Sequence, residues 1–254
     1  MKFIRFIGVL GLFLVGAYTA RLVYRGNPAK RGAKLAALTH IASVRMMKLF
    51  NVKINVVGDI ACLTDGAPCL LLANHQSYID ILFISSIRPT LFLSHIGIQR
   101  EPVIGTLAEC GGTLFVDNTT IAHVRQEMER FATMLKDGNM ITLFPEGHTY
   151  SGDRIMPFHA SFINAAILAD GDVLPICIHY DRYNGEPITL ANRDKICCYG
   201  DMPFLPHIAN VYKEMKSAEI TITIASRIKT AYKSRKEIAD EAKNWMTKTF
   251  KPYR

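Results

Sequence analysis

The sequence contains no C-x-x-C pair and no H-x-H or H-E-x-x-H spacing. A structural zinc site or a zinc hydrolase therefore has no ligand pattern to rest on, and no metal or cofactor is expected. The six cysteines are scattered apart from adjacent Cys197 and Cys198, and read as reduced, mostly buried thiols. Internal repeats and low-complexity linkers are missing too. No apolar run is long enough for several membrane crossings, which excludes a polytopic transporter. Acids are almost missing from one end: residues 1–60 hold Asp59 alone.

Against those absences stand 49% apolar and 20% charged residues, the composition of a folded chain with a large core. A length of 254 residues suits one α/β domain with a terminal appendage better than two equal domains. The net charge of +8 is unevenly placed: ten Lys and Arg in residues 1–60 make that segment +9, leaving the remainder at −1. A near-neutral body behind a basic, partly apolar front end fits a membrane surface with anionic headgroups. A nucleic-acid binder would spread its cations over the folded body among aromatics, so no nucleic-acid partner is expected.

Residues 6–20 are almost uninterruptedly apolar, with Lys2 and Arg5 before them and Arg21 and Arg25 after. Fifteen helical residues rise roughly 22 Å, short of a ~30 Å hydrocarbon core; adding Ile4 and residues 22–24, with snorkelling arginines, brings the segment near one span. A cleaved signal peptide has the same layout, but the basic stretch that follows would hinder export. A short inserted anchor carrying Phe6, Leu10, Phe13 and Leu14 is the preferred reading. After the Gly26-Asn27-Pro28 break, Leu35, Leu38, Ile41 and Leu49 recur at helical steps among basic residues. That pattern describes either a helix lying in the headgroup layer or one packed on the body with a solvated basic face. The expected division is residues 1–52 as anchoring helices and 53–254 as an α/β domain.

From residue 53 the pattern becomes β-rich runs alternating with helical segments. Expected strands are 53–58, 69–73, 91–94, 113–116, 140–144, 173–180 and 220–224. Helices are expected after Ser77, from about 118 to before Gly138, over 160–168 and over 235–249, with 181–215 an irregular excursion. The fold class is α/β, a single mixed sheet flanked by helices, with an N-terminal membrane-associated helical segment.

The apolar run 69–73 leads directly into Asn74-His75-Gln76-Ser77-Tyr78-Ile79-Asp80. Groups just beyond strand C-termini form the sites of open α/β sheets. A histidine there can take a proton from an alcohol if a carboxylate orients it, and Asp80 is close enough to do so. Ser77-x-x-Asp80 equally fits a helix capping box with no chemistry. Phe144-Pro145-Glu146-Gly147 follows a second strand and, alone, is only a turn bearing a carboxylate.

Taken in order, Asn74-His75-x4-Asp80, residues 112–117 (Gly-Thr-Leu-Phe-Val-Asp), Phe144-Pro145-Glu146-Gly147 and Val173-Leu174-Pro175-Ile176 resemble the glycerophospholipid acyltransferase family, over roughly residues 55–230. The resemblance implies acyl transfer from an acyl-CoA or acyl-carrier-protein thioester to a lysophospholipid hydroxyl, with 1-acylglycerol-3-phosphate the default acceptor. His75 would be the general base and Asp80 its orienting partner. Asn74, Glu146 and Gly147 would lie on the acceptor. The family also implies a membrane-associated protein, here on the cytoplasmic face.

Several positions depart from the family in one direction. Asn118 stands where most members have Arg; His148, His159 and His95 stand where Thr or Lys is usual. Permanent cations, the normal grip for a phosphate monoester, have thus been lost, with Arg100 and Arg154 as candidate substitutes and His148 a further acceptor contact. The departure favours, as the alternative, a lyso-ornithine lipid or a lysophosphodiester acceptor. A catalytically silent membrane-surface binding protein is the reading from another class.

Overall fold

The computed structural model describes residues 2–65, 67–117 and 119–254. Two long helices come first, α1 (Lys2–Val23) and α2 (Pro28–Leu49). Asn27 caps α2 by accepting the Lys30 N–H, and Pro28 opens it. Phe6 meets Phe50 while Gly16 lies against Leu38, so the pair is an antiparallel hairpin. α1 is long and apolar enough to cross a membrane by length and composition.

The body runs β1 (Val52–Gly58), α3 (Ala61–Thr64), β2 (Cys69–Ala73), α4 (Asp80–Ile87), β3 (Leu91–His95), α5 (Ile96–Gln99), α6 (Ile104–Cys110), β4 (Leu114–Val116), α7 (Ile121–Lys136), β5 (Ile141–Leu143) and α8 (Asn164–Leu168). It continues with β6 (Asp172–Tyr183), β7 (Glu186–Pro187), α9 (Phe204–Glu214), β8 (Ala218–Ile224) and α10 (Arg235–Thr249). The strands form one mixed sheet in the order β1-β8-β6-β2-β5-β3-β4, with β7 beside β6. β6 is antiparallel to β8 and β7; the other neighbours are parallel.

β2 sits in the middle, and its five residues, Cys-Leu-Leu-Leu-Ala, are all buried, as a strand covered on both faces requires. The two-residue period divides it between two cores. Cys69, Leu71 and Ala73 join Phe83, Ile84 and Tyr180 on the side covered by α4 and α2. Leu70 and Leu72 join Phe131 and Leu135 of α7 and Ile238, Ala242 and Met246 of α10 on the other. Only the C-terminal half of α7 packs, through Phe131, Ala132, Met134 and Leu135, while Ile121 at its start is exposed; Thr120 caps the helix by accepting the His123 N–H.

The expected strands appear within a few residues of their predicted ends. The excursion at 181–215 is more ordered than expected. β6 continues to Tyr183 and turns back through Asn184 and Gly185, both at positive φ (54° and 87°), into β7. An Asn-Gly pair is a strong hairpin signal. α9 accommodates Pro206 because its first turn needs no N–H there. α4 starts at Asp80 rather than Ser77, which leaves residues 74–79 as a loop across the C-terminal end of β2.

Candidate active site

The loop after β2 is bound to its surroundings through its backbone. Glu146 accepts the His75 N–H (2.8 Å), Tyr150 N–H donates to the His75 carbonyl (2.9 Å), and Cys198 N–H donates to the Gln76 carbonyl (3.0 Å). With both sides of the loop fixed, the His75 ring lies flat on Phe144, centroids 3.7 Å apart and planes 9° from parallel. Phe144 stacks in turn on Phe92. The stacking sets the plane of the ring, and the Asp80 contact sets its direction in that plane.

Along that direction His75 Nδ1 meets Asp80 Oδ2 at 2.8 Å. The same oxygen accepts the N–H groups of Gln76 (2.7 Å) and Ser77 (3.0 Å), and Oδ1 accepts the Tyr180 hydroxyl (2.6 Å). Asp80 is fully buried, so an ionised carboxylate here depends on these donors. The capping box is half formed. Asp80 takes the Ser77 N–H, but the Ser77 hydroxyl approaches Ile79 N–H at 3.5 Å rather than the Asp80 N–H. The carboxylate ties the loop and holds the imidazole at once. An acceptor at Nδ1 places the Nδ1–H tautomer on His75 and leaves Nε2 as the basic nitrogen. His75 is among the residues lining an open cleft of about 310 Å³.

The other nominated residues divide into two groups. Gly147 (φ +82°) and the exposed His148 line the cleft beside His75. Asn74 and Glu146, expected on the acceptor, are both buried and are not among the residues lining the cleft. Asn74 is buried, its Oδ1 accepting the Ile178 N–H (2.7 Å) and its Nδ2 donating to the Ile178 carbonyl (3.0 Å). β2 ends at Ala73 opposite Ile176, so the amide supplies the next rung of the ladder. Glu146 is 2% exposed, and both its oxygens take backbone N–H groups, from His75 and Met156, each at 2.8 Å. Burial pushes its carboxyl up to about 7, against the pull of those two N–H groups, and the nearby Asp80 charge adds to the rise.

Arg100 and Arg154 are exposed and lie outside the cleft lining. Asn118 lies outside the described residues. His95 is exposed and accepts the Gly97 N–H at the start of α5. Among the described residues no cluster of three His, Cys, Asp or Glu is placed to hold a metal. Phe6, Leu10, Phe13 and Leu14 are half-buried on the inner side of α1, whereas Ile4, Leu12, Val15 and Leu22 are exposed. The nominated anchor residues thus face the body because helical periodicity places them on the stripe that meets α2 and α6.

That inner stripe closes a second cavity of about 200 Å³, walled almost wholly by apolar groups: Phe6, Val9, Leu10 and Phe13 of α1, Ala42 and Met46 of α2, and residues of α4, α6 and α9. It shares Tyr78, Ile81, Phe92, Ile104, Ala108, Thr113 and Phe204 with the His75 cleft. An oriented imidazole therefore stands in a cleft that shares a wall with this apolar cavity. Sequence reasoning missed Tyr180, Gln76 and Phe144 as parts of this site. Tyr180 carries no spacing signal because it reaches Asp80 only across the sheet, whereas Gln76 and Phe144 lie inside the motif blocks, where nothing singles out the Gln76 N–H on Asp80 or the ring against His75.

The model of the Acyltransferase family matches residues 53–179, half of the chain; the protein belongs to that family. It is similar to the lyso-ornithine lipid O-acyltransferase of Brucella abortus, at 29% identity over 66% of this chain and 64% of that protein. The corresponding enzyme of Pseudomonas aeruginosa is 31% identical over 69% of this chain and 65% of its own length. The 1-acyl-sn-glycerol-3-phosphate acyltransferase of Neisseria meningitidis is 31% identical over 46% of each. The chain thus aligns with less than two thirds of these relatives' length. The crystal structure of the 1-acyl-sn-glycerophosphate acyltransferase PlsC from Thermotoga maritima superposes with a TM-score of 0.61, covering 98% of this chain and 96% of that one at 16% identity; this likeness concerns the fold.

Proposed function

We propose that the protein transfers a fatty acyl group from an acyl-CoA or acyl-carrier-protein thioester to the free hydroxyl of a lysolipid. The observation that carries this is the His75–Asp80 pair at a cleft that shares a wall with an apolar chamber. His75 Nε2 takes the proton of the acceptor hydroxyl as its oxygen bonds to the thioester carbonyl carbon. The tetrahedral intermediate collapses by breaking the C–S bond, and the departing thiolate takes the proton back from the imidazolium. No acyl-enzyme is needed. Asp80, held by four donors, stabilises the imidazolium between the two steps.

The chamber beyond Tyr78 and Phe204 suits the acyl chain, since it offers almost no polar partner. For the acceptor, a lyso-ornithine type of lipid ranks ahead of 1-acylglycerol-3-phosphate. Among the described residues lining the cleft none is Lys or Arg, whereas a phosphate monoester calls for such a cation. The lyso-ornithine relatives also align over more of the chain. Membrane association places the outward apolar residues of α1 in the lipid, with the basic residues that follow α1 on the cytoplasmic face.

The test supplies labelled acyl-CoA with a panel of lysolipids to purified wild type and His75→Ala, with lipid mass spectrometry as readout. Transfer to lyso-ornithine lipid is expected to exceed transfer to 1-acylglycerol-3-phosphate. His75→Ala is expected to lose about 10²–10⁴ in rate while still sedimenting with vesicles. Normal turnover in that variant would refute the assignment.

A further inference from the structure

Asp80 uses three of its four hydrogen bonds to hold its own loop, through His75, Gln76 and Ser77. The fourth comes from across the sheet. Tyr180 lies on β6, is fully buried, and directs its hydroxyl at the oxygen those three leave uncovered. Its ring also packs edge-to-face on Phe83 of α4, the helix that begins with Asp80 (centroids 5.5 Å, planes 84°). Two independent contacts thus lock Tyr180 onto the element carrying the carboxylate.

We propose that Tyr180 is a positioning residue for the His75–Asp80 pair, fixing the carboxylate plane and tempering the charge that the imidazole feels. The proposal rests on the acyltransferase reading for its kinetic consequence, but its geometric content stands on Asp80 alone. A buried carboxylate oxygen with no other donor would otherwise face apolar groups, and it would relax by rotating or by taking a proton. Either response disturbs His75, because the other oxygen is the one His75 uses. Burial holds the phenol well above its ordinary range, so Tyr180 remains a donor throughout the working pH.

The direction of the effect follows from the hydrogen bond. A donated O–H draws charge from Asp80 and weakens its hold on an imidazolium. Removing the hydroxyl raises the proton affinity of the pair, whichever partner carries the proton. Other titratable groups around the pair are Glu146 behind the His75 backbone, Cys197, and Tyr253, whose hydroxyl bonds Gln76 Oε1 at 2.5 Å, with His148, Tyr78, Cys198 and Tyr199 in the lining of the same cleft. None of these donates to the Asp80 oxygen that Tyr180 occupies.

The experiment follows the ¹⁵N imidazole signals of His75 against pH in the full chain, for wild type, Tyr180→Phe and protein with 3-fluorotyrosine at position 180. Tyr180→Phe is expected to move the titration midpoint upward by about half to one pH unit. The fluorinated phenol, a stronger donor, is expected to move it downward. In the transfer assay Tyr180→Phe should lower kcat about tenfold with KM within twofold, and its half-maximal pH should rise with the NMR midpoint. Should the Phe variant fail to fold, the fluorotyrosine shift alone decides. Unmoved midpoints in the variants that fold overturn the proposal and leave Tyr180 as packing. A moved midpoint in a protein that acylates no lysolipid refutes the acyltransferase reading and leaves the positioning role intact.

Discussion

Glu146 holds His75 by its backbone: Oε2 accepts the His75 N–H and Oε1 the Met156 N–H, each at 2.8 Å. One carboxylate thereby joins the loop after β2 to the loop after β5, and the relative placement of Phe144 and the imidazole stacked on it depends on that tie. Glu146 shapes the site from behind the cleft wall.

The tie carries a pH signature. Burial raises the Glu146 carboxyl from the ordinary 4.5 to about 7, so the folded state binds its proton more tightly than the unfolded chain does. The resulting stability is fully present below about 4.5 and is lost as pH rises through about 7. At about 1.4 kcal/mol per unit, wild type should lose up to about 3 kcal/mol of unfolding free energy between pH 4.5 and 7.5. Glu146→Gln removes that slope, and because glutamine offers one acceptor oxygen to two N–H groups it adds a pH-independent cost of about 1–3 kcal/mol. Urea denaturation at four pH values checks both statements. A slope that persists in the variant would locate it elsewhere.

Asn74 makes a different prediction from the one its neighbour His75 invites. Since its amide completes the β2–β6 ladder on Ile178, Asn74→Ala leaves the buried Ile178 N–H without its partner, while the Ile178 carbonyl keeps Gln76 Nε2 (3.0 Å), and should destabilise the fold by about 1–3 kcal/mol. His75→Ala, in a partly open site, should cost much less. Thermal or chemical unfolding ranks the two. In the fraction of Asn74→Ala that stays folded, the KM for lysolipid should be unchanged, whereas an acceptor contact would raise it.

These two residues show where sequence reading succeeds and where it stops. The alternation and length of the apolar runs, together with turn residues, place nearly every strand, because a two-residue period and strand burial are local properties. His75 and Asp80 were legible for a similar reason: five positions apart at a strand end, a loop of this length brings them together. Asn74 and Glu146 belong to the same motif blocks, yet their side chains turn inward, and motif membership does not distinguish a group that touches substrate from one that ties loops. Tyr180 was hidden for the opposite reason. It reads as one more core residue of an apolar strand, and only the neighbouring of β6 and β2, separated by a hundred residues in sequence, brings its hydroxyl to Asp80. The Asn184-Gly185 hairpin was legible and passed over.

The outer and inner faces of α1 should be separable by mutation. The outer face exposes Ile4, Leu12, Val15 and Leu22, while the inner face supplies Phe6, Val9, Leu10 and Phe13 to the apolar chamber and Arg21 reaches Glu109 of α6 at 3.1 Å. If α1 were an anchor only, detergent would substitute for it, and a chain lacking residues 2–24 would turn over normally in micelles. The chamber wall argues otherwise. Without those four side chains the acyl site opens to solvent, water enters beside the thioester, and the chain is no longer held against His75; turnover in micelles should fall about tenfold or more. The complementary variant, Leu12→Ser with Val15→Ser and Leu22→Ser, leaves the wall intact. It should release the protein from vesicles in a sedimentation assay yet keep its micellar rate within about twofold, since removing outward apolar area weakens insertion by roughly 25 cal/mol for each Å² lost without touching the site. Equal behaviour of the two variants in micelles would show that α1 has one role rather than two.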